Sequence, residues 1–160
     1  MPRKNRVPRV RVGTTPDERR HCARRDFLPE HRRNQVCKKE PDGAYRVYKN
    51  GGQVKTDLDP VEWAIECERL GAGEIALTSI DHDGKRAGLN IEVTRKVSES
   101  VTIPLITGGG CGHANDFIDG FKEGKADAVA AGTFFAFKDE NFMQTRSQII
   151  NAGINIRVHQ

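Results

Sequence analysis

Hydrophobic and polar positions in residues 41–160 predict strands and helices that alternate along the chain. Short apolar runs predict strands at residues 74–80, 101–106 and 126–131, and the segments that follow them carry apolar residues at helical spacing. Strands that alternate with helices pair in parallel through right-handed crossovers, so the loops after the strands lie on one face. The pattern therefore predicts the α/β fold class.

Capping and turn residues locate the other elements. Asp59 and Pro60 are typical of a helix start, and Gly71 is typical of the end of that helix. Further helices are predicted at residues 90–97, 114–124 and 141–151. The Asn50-Gly51 pair between residues 44–48 and 53–56 predicts a β-hairpin.

The first forty residues differ from the rest in charge and pattern. They hold 13 Lys and Arg against 5 Asp and Glu, a net charge of +8, whereas the other 120 residues carry −4. Their scattered apolar residues predict a disordered basic segment at residues 1–40 and a folded domain at 41–160. A basic arm for RNA is one interpretation, but no aromatic platform accompanies the arginines. We favour a second, in which the segment is read out of frame and joined to a genuine domain.

Residues 104–112 predict a strand, a glycine-rich loop and the start of a helix. Glycine lets an anion approach the backbone N–H groups, and a helix N-terminus adds partial positive charge, so a phosphate is a candidate ligand. The motif alone fits an ordinary strand-to-helix turn equally well, because it lacks the Lys and Ser/Thr of a P-loop. Two other strand ends, at residues 81–88 and 132–133, have the same polar, glycine-bearing character and favour the phosphate.

The sequence predicts neither a metal site nor a cofactor. The Asp-x-Asp-Gly segment at residues 81–84 lacks the further acidic ligands of a calcium loop. The four cysteines form no Cys-x-x-Cys pair, which indicates reduced thiols in a cytoplasmic protein. Cys111 is a candidate nucleophile or metal ligand, but a small residue filling a turn is the favoured interpretation. No apolar stretch approaches membrane-spanning length.

Several segments together resemble one family. They are Gly71-Ala72-Gly73-Glu74-Ile75, Thr78-Ser79-Ile80-Asp81-His82-Asp83-Gly84, Gly109-Gly110-Cys111-Gly112 and residues 128–135. From about Lys38 onward the chain resembles the cyclase subunit of imidazole glycerol phosphate synthase, a (β/α)₈ barrel of histidine biosynthesis. The resemblance implies the C-terminal half of that barrel, with strands six, seven and eight and the hairpin that follows strand five.

The resemblance also implies roles for particular residues. One phosphate of a two-phosphate ribosyl substrate would be held by Asp83, Gly84, Gly109, Gly110, Gly132 and Thr133. Glu74 matches a charged residue that gates ammonia in the family, and a surface carboxylate at the start of a strand is an equally open interpretation. Neither of the two catalytic aspartates of the family has a counterpart, because residues 34–37 read Asn-Gln-Val-Cys where strand five should carry one.

The function that the resemblance implies is an ammonia-dependent cyclase and lyase, in a truncated and poorly active copy. Its partners would be a glutamine amidotransferase subunit and a phosphorylated small molecule, and a half-barrel homodimer is expected to cover the open strand edges. An alternative is the branch of the family that supports sugar amidation in surface polysaccharide, indicated by residues 137–146. A basic nucleic-acid-binding or scaffold protein is an alternative from another class.

Overall fold

The computed structural model describes residues 9–12, 34–136 and 141–156. Its strands are β1 (Arg9–Val12), β2 (Asn34–Lys39), β3 (Tyr45–Lys49), β4 (Val54–Lys55), β5 (Ile75–Ser79), β6 (Leu105–Gly108) and β7 (Ala128–Ala131). Its helices are α1 (Pro60–Arg69), α2 (Ile91–Ser100), α3 (Ala114–Lys122), α4 (Thr133–Ala136) and α5 (Phe142–Asn151). The strands and helices predicted from the sequence after residue 41 are all present.

The strands form a single sheet in the order β1-β7-β6-β5-β2-β3-β4. Strands β2, β5, β6 and β7 are parallel neighbours, and at least one helix follows each of them along the chain. This is the order of strands five to eight in a (β/α)₈ barrel. The predicted α/β class and half-barrel arrangement are confirmed.

The prediction that residues 1–40 contribute nothing to the fold is wrong for two segments. Residues 9–12 pair in parallel with β7, and residues 34–39 lie between β5 and β3. Residues 34–39 are hydrogen-bonded on both edges, and such a strand needs few apolar side chains of its own because its neighbours satisfy its backbone groups. Residues 1–8 and 13–33 lie outside the described part, so the predicted disorder there stays a prediction.

The predicted hairpin is confirmed, and it covers one edge of β2. Tyr48 lies opposite Lys55, and Tyr45 lies opposite Lys39 of β2. The connection spans residues 50–53, in which Asn50, Gly51 and Gly52 all have positive φ. Antiparallel β3 therefore occupies the edge of β2 at which a closed barrel would place its strand four.

Two apolar clusters pack the helices against one face of the sheet. The first contains Cys37, Tyr45, Ala64, Ile75, Leu77, Val93, Val97, Val101 and Leu105. The second contains Leu89, Cys111, Phe117, Phe121, Val129, Ala131, Phe134, Ile149, Ile154 and Ile156. Phe117 and Phe134 are fully buried, with ring centroids 5.2 Å apart in an edge-to-face arrangement.

Side-chain caps start the helices where the sequence predicts. Asp59 Oδ1 accepts hydrogen bonds from the backbone N–H groups of Val61 and Glu62, at 2.8 and 3.2 Å. The Asn141 side chain accepts from the backbone N–H of Met143 at 2.9 Å. Each cap satisfies a backbone donor that the first helical turn leaves unpaired.

A polar network joins the β2–β3 edge to α2. Glu92 accepts from Lys96 at 2.8 Å, from Lys39 at 3.1 Å and from the Tyr45 hydroxyl at 3.0 Å. Hydrogen bonds from Lys96, Lys39 and Tyr45 lower the pKa of Glu92 to about 2. The carboxylate therefore stabilises the fold above its unfolded pKa, and this contribution is lost as the pH falls from about 4.5 towards 2.

We expect Glu92→Gln to lower the free energy of unfolding at pH 7 by no more than about 1 kcal/mol, because the carboxylate is half exposed. The difference from wild type should shrink between pH 5 and pH 3 in urea titrations. Glu62→Gln on α1 is the control, since Glu62 is exposed and has no ion pair among the described residues. A difference that is constant over this pH range would contradict the network's role.

Within the described residues, no helix is long and apolar enough to cross a membrane. The tail that indicates the surface-polysaccharide alternative lies partly outside the described part, since residues 137–140 are not described. That alternative stays a prediction.

Candidate functional site

The carboxyl ends of β5, β6 and β7 meet around one small, partly open cavity. The six residues predicted to hold a phosphate all line it: Asp83, Gly84, Gly109, Gly110, Gly132 and Thr133. They come from three segments that are separated by more than twenty residues along the chain. Parallel pairing of β5, β6 and β7 brings their following loops together, as expected for strands that run in one direction.

Gly109 and Gly110 have backbone conformations that other residues rarely adopt. Their φ angles are 84° and 109°. A Cβ on Gly110 would lie 2.2 Å from the carbonyl oxygen of Gly88, and a Cβ on Gly109 would lie 3.1 Å from Thr78 Cγ2. The backbone of the β6 loop therefore lies directly against the β5 loop, and only glycine fits at Gly110.

Backbone N–H groups border the cavity. Among the turn and loop hydrogen bonds between described residues, none has Gly84, Gly109, Gly110, Gly132 or Thr133 as backbone donor. Neighbouring amides at Phe135 and Ala136 both donate to the Gly132 carbonyl oxygen, at 3.1 Å. Glycine backbone at a loop of this kind suits the approach of an anion.

A carboxylate lies at the N-terminus of α3, where the sequence analysis expects partial positive charge. Asp116 Oδ2 accepts from the backbone N–H groups of Gly112 and His113, at 2.6 and 2.8 Å. Its negative charge would oppose an anion at the same helix end.

Three further residues line the cavity without having been predicted as site residues: Arg86, Cys111 and Ala131. Burial, together with the nearby Asp116 carboxylate, raises the pKa of the Cys111 thiol to about 12. Only the thiolate is nucleophilic or ligating, so Cys111 is inert near neutral pH and fills the turn, as the favoured interpretation predicts. Arg86 could have been predicted from the sequence, because it is a basic residue in a loop that was expected to contact an anion.

Glu74 lies away from the cavity. It precedes β5, at the amino end of the parallel strands, whereas the cavity lies at their carboxyl ends. The predicted ammonia gate at Glu74 stays a prediction. In the part of the chain that is described, no group of three or more His, Cys, Asp and Glu side chains is placed to hold a metal ion.

Comparison with known proteins identifies the family. The family model described as "Histidine biosynthesis protein" matches residues 31–140, which is more than half of the chain. The chain belongs to this family. The match begins before β2, in agreement with the place of that strand in the sheet.

Curated relatives carry the name imidazole glycerol phosphate synthase subunit HisF. The protein of Geobacillus thermodenitrificans (strain NG80-2) is 46% identical over 115 residues, which cover 72% of this chain and 46% of the relative. That of Alkaliphilus metalliredigens (strain QYMF) is 42% identical over 120 residues, which cover 75% of this chain and 48% of the relative. The chain spans about half the length of these relatives, and the predicted resemblance to the family is confirmed.

A similar fold occurs in a solved structure. A chain in the crystal structure of the Amycolatopsis orientalis BexX/CysO complex matches with a TM-score of 0.50 and 20% sequence identity. The match covers 59% of this chain and 39% of the other. It concerns the fold alone.

Proposed function

We propose that this chain carries the half of a cyclase-type subunit of imidazole glycerol phosphate synthase, in histidine biosynthesis, that binds one substrate phosphate. The supporting observation is the convergence of Asp83, Gly84, Gly109, Gly110, Gly132 and Thr133 on one cavity. Membership of the histidine biosynthesis family and the names of the relatives support the same reaction class. The substrate would be a ribosyl compound with two phosphates.

The phosphate would be held mainly by the backbone. The N–H groups of Gly109, Gly110, Gly132 and Thr133 donate in none of the turn and loop hydrogen bonds between described residues, and the half-buried Thr133 lines the cavity. Charge-assisted hydrogen bonds from several amides and one hydroxyl suit a tetrahedral oxyanion. Asp83 lies at the same cavity and would oppose the anion unless a cation is present.

The partners follow from the same proposal. The relatives are named as subunits, and a glutaminase subunit would deliver ammonia to the amino end of the strands, where Glu74 lies. We propose a cytoplasmic location, in which the thiols of Cys37 and Cys111 would stay reduced. A half-barrel homodimer would cover the face that carries Ala76 and Ile106, both only half buried.

Titration calorimetry with inorganic phosphate tests the proposal through Thr133. Thr133→Val keeps the shape of the side chain and removes the hydroxyl, so we expect phosphate affinity to fall by about 10- to 100-fold, the value of a hydrogen bond to a charged group. Thr133→Ser keeps the hydroxyl and should bind within about threefold of wild type. Equal affinities for wild type and Thr133→Val would remove Thr133 from the site, and no binding by wild type would refute the proposed phosphate site.

A further inference from the structure

Arg86 and Asp83 are the charged residues among the described residues that line the cavity. The other lining residues are Gly, Ala, Cys and Thr, so no other side chain there offers a cation to an incoming anion. Both residues are exposed. A phosphate in the cavity would therefore lie beside one acidic and one basic residue.

The loop that carries Arg86 is held in place by contacts with the β6 loop. The backbone N–H of Gly88 donates to the carbonyl oxygen of Gly110 at 2.9 Å, and His82 Nδ1 lies 2.8 Å from the carbonyl oxygen of Gly88. The carbonyl oxygen of Arg86 approaches Gly112 so closely that a Cβ there would lie 2.2 Å away. The backbone at Arg86 and Gly88 is thus held against Gly110 and Gly112 of the β6 loop.

Arg86 itself has a φ of 54°, in the left-handed region that non-glycine residues adopt infrequently. Such a conformation persists where surrounding contacts determine it. Lys85, the preceding residue, is exposed in the same loop and does not line the cavity. The two neighbouring cations therefore differ in position and not in charge.

We propose that Arg86 is a specificity-determining residue, whose guanidinium neutralises Asp83 and donates to the oxygens of a bound phosphate monoester. This inference rests on the proposed function of the cavity. A planar guanidinium gives two parallel N–H···O bonds to a phosphate, which an ammonium group does not reproduce. The backbone donors then fix the position of the phosphate. The positive charge of Arg86 offsets the repulsion between the Asp83 carboxylate and the phosphate.

The test is calorimetric titration of the full chain with inorganic phosphate at one fixed, low ionic strength. We expect Arg86→Gln to lower affinity by about tenfold or more, and Arg86→Lys to retain part of the wild-type affinity. Lys85→Gln removes the same charge from the same loop outside the cavity, and it should stay within about twofold of wild type. Circular dichroism spectra verify that all variants are folded.

The electrostatic part is tested in the double variant. Asp83→Asn in the Arg86→Gln background should recover part of the lost affinity, because the repulsion of the phosphate is then removed. If Arg86→Gln and Lys85→Gln bind equally well while wild type binds, the inference about Arg86 is wrong and the phosphate site stands. If wild type binds no phosphate, both fail. Absence of recovery in the double variant would contradict the neutralisation of Asp83.

Discussion

Gly110→Ala is expected to destabilise the protein by about 2–5 kcal/mol and to abolish phosphate binding. The new Cβ would lie 2.2 Å from the carbonyl oxygen of Gly88 and 2.9 Å from Cβ of His82. Neither atom belongs to the flexible end of a side chain, so the β5 and β6 loops must separate. The φ of 109° adds backbone strain for any residue with a Cβ. Urea unfolding measures the stability, and calorimetry measures the phosphate affinity.

Two other glycines provide graded controls. Gly109→Ala meets Thr78 Cγ2 at 3.1 Å and carries a φ of 84°, so its effect should be intermediate. Gly73, between α1 and β5, has open space around its Cβ position and no positive φ, so Gly73→Ala should change stability by no more than about 0.5 kcal/mol. A Gly110→Ala variant as stable as Gly73→Ala would show that the two loops do not pack as described.

Local sequence signals accounted for most of the ordered elements. Asp59, Asn90 and Asn141 each precede a helix and accept a hydrogen bond from its first turn. The Asn50-Gly51 pair provides the positive φ angles of the hairpin connection. These signals are reliable because capping and turn geometry depend on residues that are close in sequence.

The elements that local patterns did not mark depend on distant partners, and only the family resemblance placed a strand at residues 34–37. Strand β2 contains Lys38 and Lys39, and no alternation of its own marks it as central. Its place follows from hydrogen bonds to β5 on one edge and β3 on the other. The capping of α3 by Asp116 was also missed, because a predicted anion site and a side chain that already occupies it cannot be separated by pattern alone.

The candidate site was predicted more completely than its electrostatics. Strand order alone brings together the loops that carry Asp83, Gly109 and Thr133, so their convergence follows from the predicted topology. Of two adjacent cations, Arg86 lines the cavity and Lys85 does not, and Arg86 has a left-handed backbone that no sequence pattern predicts for an arginine. The sequence alone does not distinguish Arg86 from Lys85.

The side chains of β2 bear directly on catalysis. The family resemblance places a catalytic aspartate at this strand, and the chain has Gln35, Val36 and Cys37 there. Gln35 and Cys37 are buried, and the Gln35 side-chain amide donates to the carbonyl oxygen of Pro60 at 2.5 Å. Burial, with the nearby Asp81 carboxylate, raises the pKa of Cys37 to about 12, so its thiol is no base near neutral pH.

The carboxylates of Asp81 and Asp83 are also poor substitutes for the catalytic aspartates that the family resemblance implies. Asp81 accepts a hydrogen bond from the backbone N–H of Lys39 at 2.7 Å, which joins the β5 loop to β2. Asp83 lines the cavity where the phosphate is proposed. General acid–base chemistry on this substrate needs a donor and an acceptor at opposite ends, and the described residues offer no such pair at the cavity.

We therefore expect the chain to bind the two-phosphate substrate and, with ammonium salts, to turn it over at least about 10²-fold more slowly than the Geobacillus thermodenitrificans subunit. The measurement is the cyclase rate at saturating substrate, followed by product absorbance. Gly110→Ala is the control for a contaminating host enzyme, because turnover that persists without phosphate binding does not belong to this chain. A wild-type rate within tenfold of the relative, absent in Gly110→Ala, would show that β2 or the β5 loop carries catalytic groups not recognised above.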